Sequence, residues 1–389
     1  MKTHIGRLTW LFIFILLVVP GFAQSDSCRL RISLLTCSPG AELYSLFGHT
    51  AIRVTDSTAG TDLVFNYGTF DDTDPYFYVK FTRGLMRYAL SVYPFSDFEW
   101  EYQAQNRSVI EQELQLSCAQ KTALYEQLKI NAQEDNRFYD YYFLEDNCTT
   151  RAMDMILQSA GAAVTTRNFL PAQTPTYRQM LHDYLDKGRQ PWSKFGIDIL
   201  LGSRLDQEVT LKEAMFLPDY LMTGFDSTFI AAEPLVLNKR TVLPNVPQPM
   251  ANPWFTPWLF FTLLLLIVAV CTFAPSARIR KAMLRFDTIF FLLVGLLGWL
   301  LVILWIIRLD TVCRNNLNVL WALPSHFIIA FQLHKKRKWL RSYLRIVIAI
   351  STLLLAGWVL LPQQMNSALI PVIGIILLRS FARLKQQIS

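Results

Sequence analysis

The pattern of apolar and polar positions divides the chain into three parts. A short apolar run at 8–19 follows Lys2 and Arg7 and precedes Gly21-Phe-Ala23. Residues 24–250 contain short alternating and periodic stretches separated by polar turns. Residues 254–389 contain long uncharged stretches. Each part therefore suits a different environment.

The middle part predicts strands followed by helices. Alternation with period two is typical of strands, and it predicts strands at 30–36, 50–55, 63–67 and 76–81. Helical periodicity predicts helices at 95–106, 119–134, 149–159 and 174–187. Strands that precede helices favour an α+β domain over residues 24–235. The repeated prolines at 236–253 predict an extended linker.

The uncharged stretches near the C-terminus are long enough to cross a membrane. No charged residue occurs at 254–274, 288–307 or 315–334, and each stretch as a helix covers a hydrocarbon core of about 30 Å. The next uncharged stretch, 346–378, is interrupted at 362–367. It forms either two further spans or a re-entrant hairpin, and we expect two spans. Residues 254–389 are therefore predicted to be a transmembrane domain of about five helices.

The distribution of charged residues predicts how the transmembrane domain is oriented in the membrane. Residues 251–389 contain 15 Lys and Arg but only two Asp, whereas the whole chain has a net charge of +7, so residues 1–250 are acidic overall. The basic residues concentrate at 278–285, 335–341 and 379–385, which places these segments in the cytoplasm. The net positive charge of the chain therefore comes from loops between membrane helices, and we expect no nucleic-acid partner.

The N-terminal apolar run predicts export. A basic start, a short apolar core and small residues before a cleavage position indicate a signal peptide at 1–23. An uncleaved anchor helix is the alternative, but the apolar core is shorter than the span of about 20 residues that an anchor needs. Either interpretation places residues 24–250 outside the cytoplasm, in agreement with the charge pattern.

Cys148 is the candidate nucleophile of the exported domain. It lies in Asp146-Asn-Cys-Thr-Thr-Arg151, between a polar turn and an apolar-periodic run. This context predicts a helix start with Asn147 or Asp146 as N-cap, where free N–H groups and the helix dipole favour a thiolate. A disulfide is the alternative, because the compartment is oxidising and spacing does not decide the pairing. The domain holds four cysteines: Cys28, Cys37, Cys118 and Cys148.

His49 is the candidate base. After signal removal the domain retains only His49 and His182. His49 opens a predicted strand, whereas His182 lies in an amphipathic helix, and we expect it to face solvent. A third group usually fixes the imidazole tautomer; Asn66 is our first choice and Asp62 the alternative. Tyr67 is a candidate hydrogen-bond donor to an oxyanion.

The sequence contains no motif typical of a zinc site, a phosphate-binding loop or a serine hydrolase. His and Cys do not occur at zinc-ligand spacing, and there is neither a phosphate-binding glycine loop nor a Gly-x-Ser-x-Gly motif. We therefore expect no metal and no cofactor.

The candidate residues lie in three longer motifs: Leu35-Thr-Cys-Ser-Pro-Gly-Ala-Glu-Leu-Tyr-Ser-Leu-Phe-Gly-His-Thr-Ala-Ile-Arg-Val54, Asn66-Tyr-Gly-Thr-Phe70 and Asp146-Asn-Cys-Thr-Thr-Arg151. These motifs resemble the Lnb family of lipoprotein N-acyltransferases from Bacteroides-type bacteria. Shorter likenesses occur at Leu201-Gly202 with Asp206, at Phe216-Leu-Pro-Asp-Tyr-Leu221 and at Asn316-Leu-Asn-Val-Leu-Trp-Ala-Leu-Pro324. More broadly, a histidine that opens a strand and a later cysteine at a helix start are similar to the permuted papain-like fold of the NlpC and lecithin:retinol acyltransferase group.

The resemblance implies acyl transfer at the outer face of the bacterial inner membrane, with the N-terminal domain in the periplasm. Cys148 would attack a phospholipid ester with His49 as base, and the resulting thioester would acylate the N-terminal amine of a diacylglyceryl lipoprotein. We expect Asn147, Arg151 and Arg314 to contact substrate. Two alternatives remain: an NlpC-like cysteine peptidase that acts on cell-wall peptides, and a non-enzymatic envelope scaffold in which Cys148 is structural.

Overall fold

The computed structural model describes residues 28–40, 42, 45–70, 76–246 and 253–388. The predicted signal peptide at 1–23 and part of the predicted linker lie outside these residues. The described chain has a sheet-bearing domain followed by a helical region.

An antiparallel sheet of seven strands is the centre of the first domain. Its strands are β1 (Leu30–Cys37), β2 (His49–Asp56), β3 (Thr61–Phe70), β4 (Met86–Pro94), β5 (Val109–Leu114), β6 (Phe138–Tyr141) and β10 (Val236–Leu243). Their spatial order is β10-β5-β1-β2-β3-β4-β6. A smaller sheet consists of β7 (Val164–Thr166), β8 (Thr228–Ile230) and β9 (Glu233–Pro234).

Helices cover both faces of the large sheet. The helices of this domain are α1 (Phe77–Arg83), α2 (Phe95–Ala104), α3 (Cys118–Asn131), α4 (Cys148–Ala160), α5 (Tyr177–Lys187), α6 (Pro191–Leu200), α7 (Leu211–Ala214) and α8 (Pro218–Asp226). On one face α3, α4 and α8 pack on a core that includes Ile52 and Phe65. On the other face Phe98 of α2 packs against Val64. The predicted α+β class is thus confirmed at the level of a mixed domain with an antiparallel sheet.

The strand predicted at 76–81 is wrong, because this segment forms the helix α1. Aromatic residues and Val79 alternate there and imitate a strand, but the segment ends at Gly84, whose φ of +70° turns the chain. The strand that pairs with β3 is β4, which follows that turn.

The linker predicted at 236–253 is also corrected in its first half. Residues Val236–Leu243 form β10, which pairs antiparallel with β5 at the sheet edge. Nε of Arg240 lies 2.7 Å from a carboxylate oxygen of the buried Glu111 on β5. The edge of β5 needs a partner for its backbone groups, and this segment supplies it before the chain enters the helical region.

The helical region contains four long helices and one short one within residues 253–388. They are α9 (Pro257–Phe273), α10 (Ala277–Ile307), α11 (His326–Ala330), α12 (Lys338–Ala356) and α13 (Leu369–Ile388). By length and composition, α10 and α12 are suited to crossing a membrane, and α9 is a shorter apolar helix. The uncharged stretch 346–378 falls on two separate helices, α12 and α13, which pack against each other.

The span predicted at 315–334 is not a continuous helix. It consists of a 3-10 turn at Leu317–Leu320, further turns and the short α11. Pro324 interrupts the stretch because it lacks an N–H donor. Gly298 of α10 permits the irregular backbone to approach closely, since a Cβ at this position would lie 1.9 Å from the carbonyl oxygen of Ala322. Irregular backbone at membrane depth is tolerated where protein surrounds it.

A buried polar cluster joins the two regions, and it corrects the expectation that His182 faces solvent. Nε2 of His182 lies 2.7 Å from Oδ1 of Asp198, and Nη1 of Arg178 lies 3.0 Å from the same oxygen. Asn366, from the loop between α12 and α13, donates to the other Asp198 oxygen at 2.9 Å. We call Arg178, His182, Asp198 and Asn366 the interdomain clasp.

Candidate active site

Cys148 and His49 line one cavity of about 490 Å³ in the sheet-bearing domain. Asn66 and Thr149 line it as well. Part of its remaining wall is aromatic and apolar, from Phe47, Tyr88, Tyr93, Tyr141, Phe143, Phe216, Leu217 and Pro218, and another part is polar, from Ser45, Ser91, Glu101, Gln105 and Arg107. The cavity therefore combines a small reactive group with one wall suited to an apolar ligand and one suited to polar groups.

Cys148 is the first residue of α4, as predicted, and Asn147 is the N-cap. Oδ1 of Asn147 accepts hydrogen bonds from the backbone N–H groups of Thr149 and Thr150 at 2.7 and 2.9 Å. The half-buried thiol thus lies at the positive end of the helix. Thr149 also lies 3.1 Å, oxygen to oxygen, from Thr50 of β2, which joins the start of α4 to the strand that carries His49.

His49 is oriented by Asn66, the predicted third group. Nε2 of His49 lies 2.7 Å from Oδ1 of Asn66. This oxygen also accepts from the backbone N–H of Gly68 at 2.8 Å, and Nδ2 of Asn66 donates to the hydroxyl of Tyr93 at 2.7 Å. Because Oδ1 is an acceptor, Nε2 of His49 is the donor, and Nδ1 is the nitrogen left for the thiol.

The absence of a side chain at Gly68 leaves room for the imidazole of His49. A Cβ at this position would lie 2.4 Å from Cε1 of His49 and 3.1 Å from Oδ1 of Asn66. β2 and β3 pair from Asp56 to Ile52 of β2, whereas β2 itself begins at His49, so the two strands diverge at this end. The histidine ring thus occupies the space that opens beside a glycine.

The surroundings of Cys148 favour its thiolate. Burial raises the pKa of the thiol, but the positive charge and hydrogen bond of His49, the backbone N–H of Thr50 and the hydroxyl of Thr149 lower this pKa to about 7. A thiol with this pKa is partly ionised at neutral pH, and the thiolate is the nucleophilic form.

The pKa of His49 changes in the complementary direction. Burial lowers the pKa of the imidazole, but the Cys148 thiolate and the hydrogen bond to Asn66 raise it above its ordinary value. Arg107, whose Nε donates to the carbonyl oxygen of Ser38 at 2.7 Å, lines the same cavity and opposes this rise. The pair is therefore stabilised as a thiolate beside an imidazolium.

The structure does not bring Tyr67 or Asp62 into the cavity. Tyr67 is 1% exposed in the core, and its hydroxyl accepts a hydrogen bond from Asn131 at 3.1 Å. Asp62 pairs with Arg53, with Nε 2.8 Å from its Oδ1. The predicted oxyanion role of Tyr67 is thus corrected, because neighbouring residues of a strand point to opposite faces.

Of the three residues predicted to contact substrate, Asn147 lines the cavity, whereas Arg151 and Arg314 do not. Asn147 lines the cavity, but its Nδ2 donates to the carbonyl oxygens of Phe143 and Phe216, so its amide is used in capping and packing. Arg151 forms a bidentate ion pair with Asp146, in which Nε and Nη2 of the arginine lie 2.6 and 2.7 Å from the two carboxylate oxygens. Arg314 is exposed in the loop after α10 and does not line the cavity.

Among the described residues, the structure shows which cysteines pair, a question that the sequence left open. Cys28 and Cys118 form a disulfide, whereas Cys148 and the buried Cys37 are free. The interpretation of Cys148 as half of a structural bridge therefore does not apply.

Sequence reasoning missed several neighbours of the reactive pair. Thr50, Thr149, Gly68 and Tyr93 hold Cys148, His49 and Asn66 in place, and none was singled out. Thr50, Thr149 and Gly68 directly follow predicted residues in the sequence, so adjacency could have indicated them. No sequence feature indicated Tyr93, because its contact with Asn66 depends on the pairing of β3 with β4.

Two family models match the chain. Residues 21–183 match the Lnb N-terminal periplasmic domain, and residues 249–388 match the Lnb transmembrane domain. No curated protein and no solved structure matches the chain.

Proposed function

Since the chain carries the periplasmic and the transmembrane domain of the Lnb family over most of its length, it belongs to that family, and we propose that it is a lipoprotein N-acyltransferase. It is a membrane protein with a periplasmic domain. The observation that carries the proposal is the thiol of Cys148, with a pKa of about 7, beside a histidine oriented by Asn66 in an open cavity. We assign the domain to the permuted papain-like group on the same arrangement.

In the first step the Cys148 thiolate attacks the carbonyl carbon of a phospholipid ester. The backbone N–H of Cys148, which has no intrahelical acceptor at the first position of α4, is our candidate donor to the oxyanion. The ester C–O bond breaks, and the His49 imidazolium gives its proton to the leaving glyceryl oxygen. A thioester on Cys148 and a lysophospholipid result.

In the second step the α-amine of a diacylglyceryl cysteine attacks the thioester carbon. The C–S bond breaks, His49 takes the proton of the amine, and the Cys148 thiolate is restored. Division of the transfer into two displacements avoids a direct attack by an amine on an oxygen ester.

Two features favour lipid substrates over a cell-wall peptide. Aromatic and aliphatic side chains wall the cavity on the side of Phe143, Phe216 and Leu217, where an acyl chain gains free energy from burial. The domain is also fastened to apolar helices through the interdomain clasp, and a peptidase of soluble cell-wall peptides does not need this. These features support the acyltransferase over the peptidase and the scaffold.

Mass analysis of lipoprotein N-termini tests the proposal in cells. In a strain whose chromosomal copy is deleted, wild type restores N-acylated lipoproteins and Cys148→Ala leaves the α-amine free, because the acyl carrier is missing. Cys271→Ala removes a free cysteine of α9 and is the matched control, which we expect to restore N-acylation.

Normal N-acylation with Cys148→Ala as the only copy would falsify the acyltransferase assignment. Purified full-length protein separates the remaining alternatives. Exposure to phospholipid leaves an acyl adduct on Cys148 of an acyltransferase, whereas a peptidase or a scaffold acquires none.

A further inference from the structure

A second cavity adjoins the cavity of Cys148. Its volume is about 430 Å³, and Thr69, Phe70 and Ser91 line both cavities. Their shared wall follows the irregularity in the pairing of β3 with β4, between Asn66 and Thr69. A ligand that lies across these three residues would therefore contact both the cavity of Cys148 and the second cavity.

The described lining of the second cavity carries only basic charges. Lys80, Arg87 and Arg137 line it, and among the described residues that line it there is no carboxylate. The guanidinium carbons of Arg87 and Arg137 lie 4.4 and 4.9 Å from the ring centroid of Phe138. Stacking on one aromatic ring holds two like charges near each other, although Glu134, 3.2 Å from Nε of Arg137, offsets part of the charge. An anion that bridges the two cations would lower their repulsion.

The second cavity lies beside the outer end of the membrane helix α10. Lys80 belongs to α1, and the carbonyl oxygen of Arg83 at the end of α1 accepts a hydrogen bond from the N–H of Leu309, just after α10, at 3.2 Å. Val79 of α1 is 60% exposed. An exposed apolar side chain at this level suits the region where lipid headgroups begin.

We propose that the second cavity binds the phosphate of the phospholipid acyl donor through Arg87 and Arg137, while the donor's ester reaches Cys148 across the wall of Thr69, Phe70 and Ser91. Arginine binds phosphate oxygens through a planar fork of donors. The position next to α10 selects a phosphate that is part of a membrane lipid over free phosphate. This assignment rests on the proposed acyl transfer and names the feature of the donor that the enzyme recognises.

The test compares donors with and without phosphate on the full-length protein in detergent micelles. Acyl adduct formation on Cys148 is followed by intact-protein mass with phosphatidylglycerol, with diacylglycerol and with p-nitrophenyl octanoate. We expect R87Q/R137Q to slow acylation by subsaturating phosphatidylglycerol about tenfold or more, as for the loss of charge-assisted hydrogen bonds. Acylation by p-nitrophenyl octanoate, which carries no phosphate, keeps its rate, and R87K/R137K retains part of the phosphatidylglycerol rate.

Arg167→Gln is the matched control, because Arg167 also stacks on a phenylalanine, 4.1 Å from the ring centroid of Phe229, outside both cavities. It should change neither rate. Diacylglycerol should react slowly with wild type and with R87Q/R137Q alike. Inorganic phosphate should slow the phosphatidylglycerol reaction only at high concentration; strong inhibition by it at low concentration would identify a free-phosphate site instead.

An equal phosphatidylglycerol rate in wild type and R87Q/R137Q overturns the phosphate site and leaves the acyltransferase intact. An equal loss with phosphatidylglycerol and p-nitrophenyl octanoate assigns the two arginines a purely structural role and also overturns the site. Absence of any adduct from phosphatidylglycerol in wild type overturns both proposals.

Discussion

At the scale of single residues, the reactive pair depends on one atom of Asn66. Its Oδ1 accepts from both His49 and the backbone of Gly68, and this double role fixes the tautomer of the imidazole. The charge and hydrogen bond of His49 then oppose the effect of burial on the Cys148 thiol. The nucleophilicity of Cys148 should therefore depend on His49 more than on the helix start.

Replacement of His49 by Asn should raise the pKa of the Cys148 thiol. Without the imidazolium, burial remains as the largest influence, so the pKa moves from about 7 to above the ordinary value of about 8.5. The thiolate is lost as pH falls through the pKa, so iodoacetamide labelling at pH 7 should be about tenfold slower or more. The measurement is the labelling rate of Cys148 between pH 5 and about 10, by peptide mass.

The control for this profile is Cys37→Ser. Burial raises the pKa of the Cys37 thiol to about 12, so removal of this thiol should leave the profile unchanged. A His49→Asn profile with the wild-type midpoint would mean that the helix start alone ionises Cys148, and it would contradict the proposed role of His49 as base.

At the scale of elements, α10 is shaped to receive irregular backbone. A Cβ at Gly295 would lie 2.1 Å from the N of Phe327, and one at Gly298 would lie 1.9 Å from the O of Ala322. Both contacts are with backbone, which cannot rotate away as a side chain can. These two glycines, one helical turn apart, hold the segment around Pro324 against the helix.

Replacement of Gly298 by Ala should therefore destabilise the helical region by about 2 kcal/mol or more through overpacking. The matched control is Gly374→Ala in α13, where the nearest atom to a new Cβ is the flexible Cδ2 of Leu265 at 3.3 Å. This control should change stability by at most about 1 kcal/mol. Thermal unfolding of both variants in detergent measures the difference, and equal melting temperatures would contradict the close backbone packing.

At the scale of the whole molecule, the interdomain clasp makes two regions into one unit. Arg178 is fully buried, and it pairs with Asp198 and with Asp206, whose Oδ1 also accepts from the backbone N–H of Gln364 at 3.1 Å. Asn318 adds a bond from its Nδ2 to the carbonyl oxygen of Asp198 at 2.9 Å. Buried charges of this kind are costly when a partner is removed.

Replacement of Asp198 by Asn should lower the free energy of unfolding by about 3 kcal/mol, because Arg178 and His182 lose a buried anion. The matched control is Asp186→Asn, whose partner Lys194 lies 2.7 Å away at a surface where the Asp186 side chain is 62% exposed. Exposed pairs contribute about 1 kcal/mol or less. The readouts are thermal unfolding and the rate of limited proteolysis between the two regions, and equal effects of the two substitutions would contradict a stabilising clasp.

What the sequence predicted well was local. The N-cap Asn147 and the apolar run after Cys148 are neighbours along the chain, so the helix start followed from a few residues. Asn66 was predicted as the partner of His49 because antiparallel strands bring such positions together. Tyr67 could not serve beside it, since one strand cannot direct adjacent side chains to the same face.

What the sequence did not predict depended on distant contacts. His182 is flanked by Asp183 and resembles a surface residue, and only its meeting with Asp198 and Asn366 explains its burial. The stretch 315–334 has the composition of a membrane helix, but an irregular segment surrounded by protein is just as apolar. Residues 236–243 become a strand only because β5 offers an unpaired edge.

The strand β10 has a consequence for how the protein meets lipid. Because β10 is part of the sheet and the interdomain clasp joins the sheet-bearing domain to the helical region, we expect Cys148 to stay at a nearly constant height above the bilayer. In the proposed acyl transfer, an active site held in this way would sample lipid substrates by lateral diffusion in two dimensions. We then expect the rate of the proposed transfer to follow the mole fraction of the donor lipid in the membrane, with little influence of the bulk lipid concentration.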